Sequence, residues 1–276
     1  MRTWFITGAS RGFGALIAQE ALAKGDAVVA TARDPATLVE RFGDHPNLLA
    51  VALDVTSEDQ AHAAAKQAVE RFGRIDVLVN NAGYGLVGAV EEATAAEVEA
   101  LYRTNVFGLL AVTRAVLPHM RRQRSGRVLN MSSVGGYAAA AGFGVYSSTK
   151  FAVEGLSEAL AAELKPLGVH VTAVEPGYFR TDFLDQTSLA TSAASIADYH
   201  ETAGATRTRA QAVNHNQAGD PARLAKVLVE FVDAPNPPVR LPLGSDTVAR
   251  IAQKNAETAA LVEQWLPVSV STDFDA

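Results

Sequence analysis

The sequence predicts one α/β domain built on a doubly wound parallel sheet of about seven strands, with helices on both faces. Short apolar segments alternate with longer segments of helical period along the first two thirds of the chain, which is the pattern of strand–helix repeats. The short segments are almost continuously apolar, as expected for strands covered on both faces. The length of 276 residues suits a single core of this kind.

Strands are predicted where short apolar runs are rich in Val, Ile, Leu and Ala. Helices are predicted from their period and from their ends, such as the Ser57 cap with acids in the first turn and Pro221 as a first-turn residue. The predicted strands are residues 4–6, 27–30, 48–51, 75–79, 128–131, 169–174 and 239–243. The first predicted helix begins after Gly12. The others cover residues 57–72, 94–120 with a break near Gly108, 146–164, 221–232 and 245–265.

The composition excludes several kinds of site. The chain has no cysteine, which rules out a disulfide scaffold, a thiolate zinc site and a thiol nucleophile. The 6 histidines include no pair at ligand spacing, so no metal site is predicted. The net charge of −6 argues against a nucleic-acid partner, which needs a basic surface.

No segment is predicted to enter a membrane. The longest uncharged stretch, residues 128–145, contains Asn130 and several glycines, and it is shorter than the about 20 residues of a spanning helix. The apolar patch at residues 4–6 is too short for the core of a signal peptide. A cytoplasmic protein is therefore expected.

A glycine-rich turn, TGASRGFG at residues 7–14, follows the first predicted strand and opens a helix. Glycines let the backbone approach a diphosphate closely, and a helix N-terminus presents amide donors and a positive dipole end to it. The spacing Gly-x3-Gly-x-Gly differs from the common Gly-x-Gly-x-x-Gly. Such turns also occur for structural reasons alone, but the position after the first strand favours a nucleotide site.

Four motifs in order resemble the short-chain dehydrogenase/reductase family: TGASRGFG, NNAG at residues 80–83, Tyr146-x3-Lys150 and Pro176-Gly177. The resemblance covers residues 3 to about 181. It implies a single-domain Rossmann fold and an oxidoreductase that transfers the pro-S hydride between a nicotinamide and a carbonyl or secondary alcohol. Residues 1–180 would be the cofactor and catalytic core, 181–220 a substrate lid of helices and loops, and 221–276 the closing helices and last strand.

Tyr146 and Lys150 are predicted as the acid/base pair because they lie one helical turn apart, on one helix face. A phenol has an ordinary pKa of about 10, too high for easy proton exchange at neutral pH. A nearby ammonium lowers that pKa. The resemblance adds that Lys150 binds the nicotinamide ribose. The other interpretation is a surface pair on an amphipathic helix.

Ser133 and Asn105 complete the catalytic set implied by the resemblance. Ser133 follows the strand at residues 128–131, at the sheet edge where open α/β sheets bind ligands, and its hydroxyl would polarise the substrate oxygen. Ser132 is the competing candidate. Asn105, predicted inside a helix, would distort that helix, hold a water and connect Lys150 to solvent; the alternative is a core asparagine with satisfied hydrogen bonds.

NADP(H) is the predicted cofactor. An NAD site has a carboxylate at the end of the second strand, but here that strand ends in Ala32 and Arg33, and Asp34 comes one place late. Arg11 and Arg33 together could bind a 2′-phosphate through charge-assisted bonds. The alternatives are two solvated arginines and an NAD(H)-preferring alcohol dehydrogenase.

Further cofactor contacts are implied by the resemblance alone. Asp54 would accept from the adenine amine, Asn80 would steady the sheet, and Thr181 would hold the carboxamide; a capping Asp and ordinary turn residues are the other interpretations. The predicted cofactor residues are Gly8, Ser10, Arg11, Gly12, Phe13, Gly14, Arg33, Asp54, Val55, Asn81, Ala82, Gly83, Tyr146, Lys150, Pro176, Gly177 and Thr181.

The substrate is predicted to be a small, uncharged, partly hydrophobic carbonyl or alcohol, because the expected pocket positions are apolar or aromatic. These positions are Tyr84, Gly85, Val134, Tyr137 and Phe143. An epimerase or dehydratase, and a non-catalytic dinucleotide sensor, are the rival functions. The sensor would be expected to lack Tyr146 or Lys150.

A homodimer or homotetramer is predicted from two apolar helices. Residues Ala152, Val153, Leu156, Leu160 and Leu164 recur at helical spacing after Lys150, and residues 109–120 are also apolar. In the resembled family these two helices pair across a two-fold axis. Packing of the same residues on the chain's own sheet is the alternative.

Overall fold

Seven parallel strands form the central sheet of the computed structural model, which describes residues 1–274. Their order across the sheet is β3-β2-β1-β4-β6-β7-β9, so the fold prediction is confirmed. The strands of the whole chain are β1 Thr3–Ile6, β2 Ala27–Ala32, β3 Leu48–Ala52, β4 Val77–Asn80, β5 Gly85–Val87, β6 Gly126–Met131, β7 Val169–Pro176, β8 Leu189–Thr191 and β9 Arg240–Leu243.

Helices cover both faces of this sheet. Ile17 and Leu228 lie in the apolar core on one face, and Ala64 and Val116 lie in the core on the other. The helices within residues 1–274 are α1 Gly12–Ala23, α2 Ala36–Phe42, α3 Glu58–Phe72, α4 Ala95–Tyr102, α5 Leu109–Gln123, α6 Gly144–Leu164, α7 Ala205–Val213, α8 Pro221–Phe231 and α9 Ser245–Val270. No helix in that part of the chain is long and apolar enough to span a bilayer.

The chain reverses its direction of travel across the sheet at β1. Strands β2 and β3 lie on one side of β1, and β4 lies on the other. All of these pairings are parallel, so the loops after β1 and β4 diverge at the carboxyl edge of the sheet. A crevice is expected at this switch point.

Several elements differ from the sequence prediction. The α-helix expected over residues 94–120 is interrupted next to Gly108, as predicted, but the interruption is a wide π-helical turn, Arg103–Gly108, that joins α4 to α5. Helix α2 was not predicted; Asp34 Oδ1 accepts from Ala36 N at 3.0 Å and starts it. The last helix reaches Val270 rather than residue 265.

Residues 181–220 contain a strand as well as helices and loops, contrary to expectation. Strand β8 pairs in parallel with β5, which follows β4, in a separate two-stranded sheet. The buried carboxylate of Glu92 accepts from Ile196 N at 2.8 Å and forms an ion pair with Arg207 of α7. Segment 181–220 is thus attached to the body by backbone pairing and by a buried charge.

The turn between β1 and α1 depends on close packing at two glycines. Gly8 has a φ of +63°, a conformation that side chains with a Cβ rarely adopt. A Cβ on Gly14 would lie 2.5 Å from Asn81 Nδ2 and would also meet the carbonyl of Gly8. Asn81 in turn donates from Nδ2 to Gly8 O at 3.0 Å, so the turn is held by the end of β4.

We expect Gly14→Ala to lower the free energy of unfolding by about 1–3 kcal/mol, because the added methyl overpacks the turn. Gly155→Ala is the matched control, since it lies inside α6 with no atom within 4 Å of the added Cβ. It should raise the free energy of unfolding by about 0.5–1 kcal/mol through helix propensity. Urea unfolding measures both, and equal effects of the same sign would contradict the packing argument.

Candidate active site

A cavity of about 890 Å³ opens at the carboxyl edge of the sheet. It runs from the glycine turn past the ends of several strands to α6 and segment 181–220. All the predicted catalytic and cofactor residues line it except Gly14 and Asn105. Gly14 lies behind the turn, and Asn105 lies one layer deeper, 2% exposed.

One end of the cavity can receive an anion. Arg11, in extended conformation, precedes α1, and no side chain in residues 1–274 caps the first turn of this helix. Its first amides therefore remain available to a ligand. Thr7 Oγ1 accepts from Asn81 N at 2.9 Å and from Ala82 N at 3.0 Å, which fixes this end of the cavity.

The arginines predicted for a 2′-phosphate both line the cavity. Arg11 Nη2 donates to Thr187 O at 2.7 Å, so its guanidinium reaches segment 181–220. A third arginine was missed by the sequence analysis: Arg41 of α2 approaches Ser10 O at 3.5 Å. Asp34 is not among the lining residues and caps α2 instead.

The polar residues after β3 and β4 hold the loops in place. Asp54 lines the cavity, and its Oδ1 accepts from Thr56 N at 2.9 Å and Thr56 Oγ1 at 2.7 Å. This contact orders the turn before α3, whose cap is Ser57, and the adenine contact stays a prediction. Asn80 donates to Asn130 Oδ1 at 2.8 Å and bridges β4 and β6, as expected.

Tyr146 and Ser133 face each other at the other end. Ser133 Oγ accepts from Gly135 N at 3.1 Å, which aims its hydroxyl along the loop after β6. Burial raises the pKa of Tyr146 to about 12, and the hydrogen-bonding hydroxyl of Ser133 acts to lower it. Ser132 Oγ is buried and packs against Gly136. The geometry therefore favours Ser133 over Ser132 as the partner of Tyr146.

Lys150 lies beside Tyr146 on α6, with Nζ 5.8 Å from the centre of the phenol ring. Nζ donates to Met131 O at 2.7 Å. Burial lowers the pKa of Lys150 to about 8, and the charge of Glu154 acts to raise it. The expected lowering of the Tyr146 pKa by Lys150 is not found in the polypeptide itself: burial raises that pKa, and the group that acts to lower it is the Ser133 hydroxyl.

Asn105 lies in the π-helical turn and is held on both sides of its amide. Oδ1 accepts from Tyr84 N at 3.1 Å, while Nδ2 donates to Tyr84 O at 2.9 Å and to Thr149 Oγ1 at 3.2 Å. The distortion of the helix is as expected. The side chain links the chain after β4 to α6, and its role in a proton relay stays a prediction.

Aromatic side chains form the wall near Tyr146. The ring centres of Phe143 and Phe183 lie 6.1 and 5.6 Å from that of Tyr146. Tyr84, Val134 and Phe143 line the cavity as predicted, but Tyr137 and Gly85 do not. Tyr137 instead bonds Asn255 of α9, and Gly85 is covered by Leu189 and Phe183.

Other lining residues come from distant parts of the chain and carried no local signal in the sequence. They include charged side chains at a site expected to be uncharged. The residues missed from segment 181–220 and α9 are Asp182, Phe183, Leu184, Thr187, Ser188, Arg209, Gln217, Asp246 and Arg250.

The glycine turn, the buried Tyr–Lys pair and the serine at one sheet edge define the class of Rossmann-fold oxidoreductases. Residues 2–191 match the family described as short chain dehydrogenase, and the chain belongs to this short-chain dehydrogenase/reductase family.

Full-length relatives support the assignment. A short-chain dehydrogenase from Streptomyces avermitilis is 42% identical, with a TM-score of 0.91 over 99% of both chains. Oxidoreductase BOA17 of Botryotinia fuckeliana is 37% identical over 98% of this chain and 99% of its own length. The 3-ketodihydrosphingosine reductase of Bacteroides thetaiotaomicron is 38% identical over 95% and 92%. The chain is therefore similar to oxidoreductases along almost its whole length.

Solved structures with bound cofactor divide between the two dinucleotides. ElxO with NADP bound is 26% identical, with a TM-score of 0.74 over 90% of this chain and 99% of that chain. The 3-ketoacyl-(acyl-carrier-protein) reductase of Brucella melitensis, complexed with NADH, is 27% identical, with a TM-score of 0.73 over 88% and 96%. The fold thus accepts NAD or NADP.

We expect the ammonium of Lys150 to titrate near pH 8 in the purified protein, because burial lowers its pKa from the ordinary 10.5 to about 8. Carbon-13 NMR of lysines labelled at Cε measures this titration, and the Lys150→Arg variant identifies the resonance. Lys66, with 75% of its side chain exposed, is the internal reference. A Lys150 midpoint equal to that of Lys66 would contradict the burial argument.

Proposed function

We propose that the protein is an NADP(H)-dependent reductase of ketones or aldehydes, with Tyr146 as the general acid. This proposal rests on the arrangement of one cavity. Tyr146, Ser133 and Lys150 meet at one end of it, and a glycine turn and arginines lie at the other. A dinucleotide that spans this cavity would bring its reactive ring to the tyrosine. The reverse oxidation of a secondary alcohol uses the same groups.

The residues of the cavity fit a dinucleotide. Gly8 and Gly12 line the cavity without a side chain and so let a diphosphate approach the backbone, and the uncapped first turn of α1 provides amide donors. Pro176, Gly177 and Thr181 would flank the nicotinamide. The bound cofactor supplies the hydride that adds to the carbonyl carbon.

The polypeptide supplies the proton and fixes the substrate oxygen. Ser133 donates a hydrogen bond to the carbonyl oxygen, and the phenol of Tyr146 transfers its proton to that oxygen as the negative charge develops. The buried Lys150 ammonium stabilises the phenolate that remains. A nicotinamide cation would add a second positive charge, which offsets the effect of burial on Tyr146. Asn105 would hold the water that returns the proton.

NADP(H) is favoured over NAD(H) by the charges at the adenosine end. Arg33 lines the cavity at the end of β2, Arg41 reaches the glycine turn, and Asp34 is engaged in capping α2. A 2′-phosphate placed there would meet cations and no carboxylate from the end of β2.

The substrate is proposed to be a ketone with an apolar portion, held against Phe143 and Phe183. The similar enzyme from Bacteroides thetaiotaomicron is named as a reductase of 3-ketodihydrosphingosine. Arg209 and Arg250 also line the cavity, so a polar or anionic group remote from the carbonyl would find partners. This extends the expectation of an uncharged substrate.

A homodimer or homotetramer remains our proposal for the assembly. Phe107, next to α5, and Phe151, on α6, are 58% and 46% exposed. Large apolar side chains on these two helices are consistent with a partner covering this face. Part of the predicted stripe is buried within the chain itself: Leu160 and Leu164 pack in the core on one face of the sheet, and Val153 is fully buried.

We expect Tyr146→Phe to lower kcat by about 10²–10⁴-fold with little change in NADPH affinity, because it removes the general acid and keeps the ring. Tyr102→Phe is the matched control, since its hydroxyl bonds Ser148 at 2.9 Å outside the cavity. NADPH absorbance with a panel of ketones gives the rates, and fluorescence titration gives the affinity. Near-normal turnover in Tyr146→Phe refutes the mechanism. Product formation without net NADPH consumption points to the epimerase instead.

We expect wild-type protein to bind NADPH more tightly than NADH, and Arg33→Ala to reduce that ratio about tenfold. A charge-assisted hydrogen bond is worth about 1.5–3 kcal/mol, and about 1.4 kcal/mol is a factor of ten. Isothermal titration with both cofactors measures the ratio. Arg223→Ala, on the exposed surface of α8, should leave it unchanged. A wild-type preference for NADH would refute the NADP(H) proposal.

A further inference from the structure

Two buried glutamates lie next to the proposed active site, and the mechanism above uses neither. Glu154 follows Lys150 by one turn of α6, and Glu175 precedes Pro176 at the end of β7. Only 5% and 1% of their side-chain surfaces are exposed. Glutamate is rarely buried to this extent without a partner for its charge.

A single guanidinium serves both of these carboxyl groups. Arg240 Nε of β9 donates to Glu154 Oε2 at 3.0 Å and lies 3.7 Å from Glu175 Oε1. Its Nη2 donates to Glu158, which is largely exposed, at 2.9 Å. Arg240 contacts three carboxyl groups and its side chain is 38% exposed to solvent. Its single positive charge therefore cannot neutralise both buried carboxyl groups in full.

Each of the two buried carboxyl groups has one oxygen without a hydrogen-bond partner in residues 1–274, which leaves room for a shared proton. In the part of the chain that the structure describes, Glu154 Oε1 and Glu175 Oε1 are buried without a hydrogen-bond partner. Both carboxyl groups approach the same nitrogen, Arg240 Nε, at 3.0 and 3.7 Å, and Glu154 acts to raise the pKa of Glu175. Buried carboxylates in contact do not both ionise at low cost, and they share one proton instead.

Of the two acids, Glu175 has the environment that favours the protonated form. Burial, followed by the charge of Glu154, raises the pKa of Glu175 to about 7, although Arg240 opposes the shift. Glu154 has the closer contact with Arg240, at 3.0 Å against 3.7 Å for Glu175. Its charge acts to raise the pKa of Lys150, which burial lowers.

We propose that Glu154 and Glu175 are a buried acid pair that holds one proton, so that Glu154 stays ionised and keeps the neighbouring Lys150 ammonium charged. Both are positioning residues, since they act through Lys150. The charged groups that face the pair are Lys150 and Glu158 from α6 and Arg240 from β9; the phenol ring of Tyr137 contacts Arg240, 5.9 Å from its guanidinium carbon. The inference rests on the proposed function only for the catalytic role of Lys150.

The shared proton is tested by infrared difference spectroscopy of the cofactor-free protein during a pH titration. Wild-type protein should show a carboxylic-acid band that disappears with a midpoint near pH 7. Glu175→Gln should lack the band. Glu158→Gln, which removes an exposed carboxyl from the same guanidinium, should keep it. Identical spectra for wild type and Glu175→Gln overturn the proposal.

Should Glu175→Gln fail to fold, Glu154→Gln provides the same test. It removes the negative charge that opposes ionisation of Glu175, so the midpoint of the band should move to lower pH. An unchanged midpoint overturns the proposal.

The stability of the protein gives a second readout. The folded-state pKa of Glu175 lies above its ordinary value of 4.5, so the folded protein binds this proton more tightly than the unfolded chain. This stabilisation is complete below the ordinary pKa and is lost as the pH rises through about 7. The wild-type free energy of unfolding should therefore fall across this window relative to that of Glu175→Gln, and parallel pH curves count against the pair.

The link to Lys150 is tested by the carbon-13 titration of its Cε in cofactor-free Glu154→Gln. Its midpoint should fall below the wild-type value, and Glu158→Gln should leave it in place. The loss of kcat at high pH should move in the same direction in Glu154→Gln. If the Lys150 midpoint is the same in Glu154→Gln as in the wild type, Glu154 does not act on Lys150 and the proposal is wrong. If Tyr146→Phe proves fully active, only the kinetic readout loses its meaning, while the infrared and NMR results still decide.

Discussion

The buried ammonium of Lys150 is the constraint on which the arrangement of the site depends. A charge removed from water needs hydrogen bonds and opposite charge close by. The last residue of β6 meets the first need through Met131 O, and Glu154 meets the second from within α6. Because Met131 directly precedes the serine loop, the contact that satisfies the lysine also fixes α6 against that loop. The approach of Tyr146 to Ser133 follows from this packing.

The same cost of burying polar groups accounts for the wide turn between α4 and α5. Asn105 is 2% exposed there, and its amide pairs with both backbone groups of Tyr84. A Cβ on Gly83 would lie 3.1 Å from Asn105 Oδ1 and 3.8 Å from Lys150 Nζ, so a glycine at this position lets the three segments meet. Widened helical turns are often found at functional sites, and here the turn connects the sheet edge to the helix that bears the lysine.

The sequence predicted the parts of the fold and site that depend on local pattern. Tyr146 and Lys150 were found because one helical turn separates them, and the strands were found from their continuous apolar runs. The sequence pattern did not reveal Arg240, Arg250 or Phe183. Each of them reaches the site only after β9, α9 or segment 181–220 has packed. Glu154 and Glu175 lie within predicted elements, but their contact depends on β7 and α6 meeting. Asp34 was considered in the sequence because it follows the second strand. Its side chain instead accepts from Ala36 N at the start of α2, a local contact that the apolar pattern does not reveal.

The two ends of the cavity are held by different forces, and this separates cofactor binding from substrate choice. The glycine turn is fixed by close packing with the end of β4, where even one methyl group would collide. Segment 181–220 is held by the short β5–β8 pairing and by the Glu92–Arg207 ion pair, outside the two cores that flank the main sheet. Side chains on that segment can therefore change without repacking either of those cores. Since Phe183 and Arg209 both come from it, our proposed function implies that substrate specificity can vary there while the Tyr146–Lys150 pair and the glycine turn stay fixed.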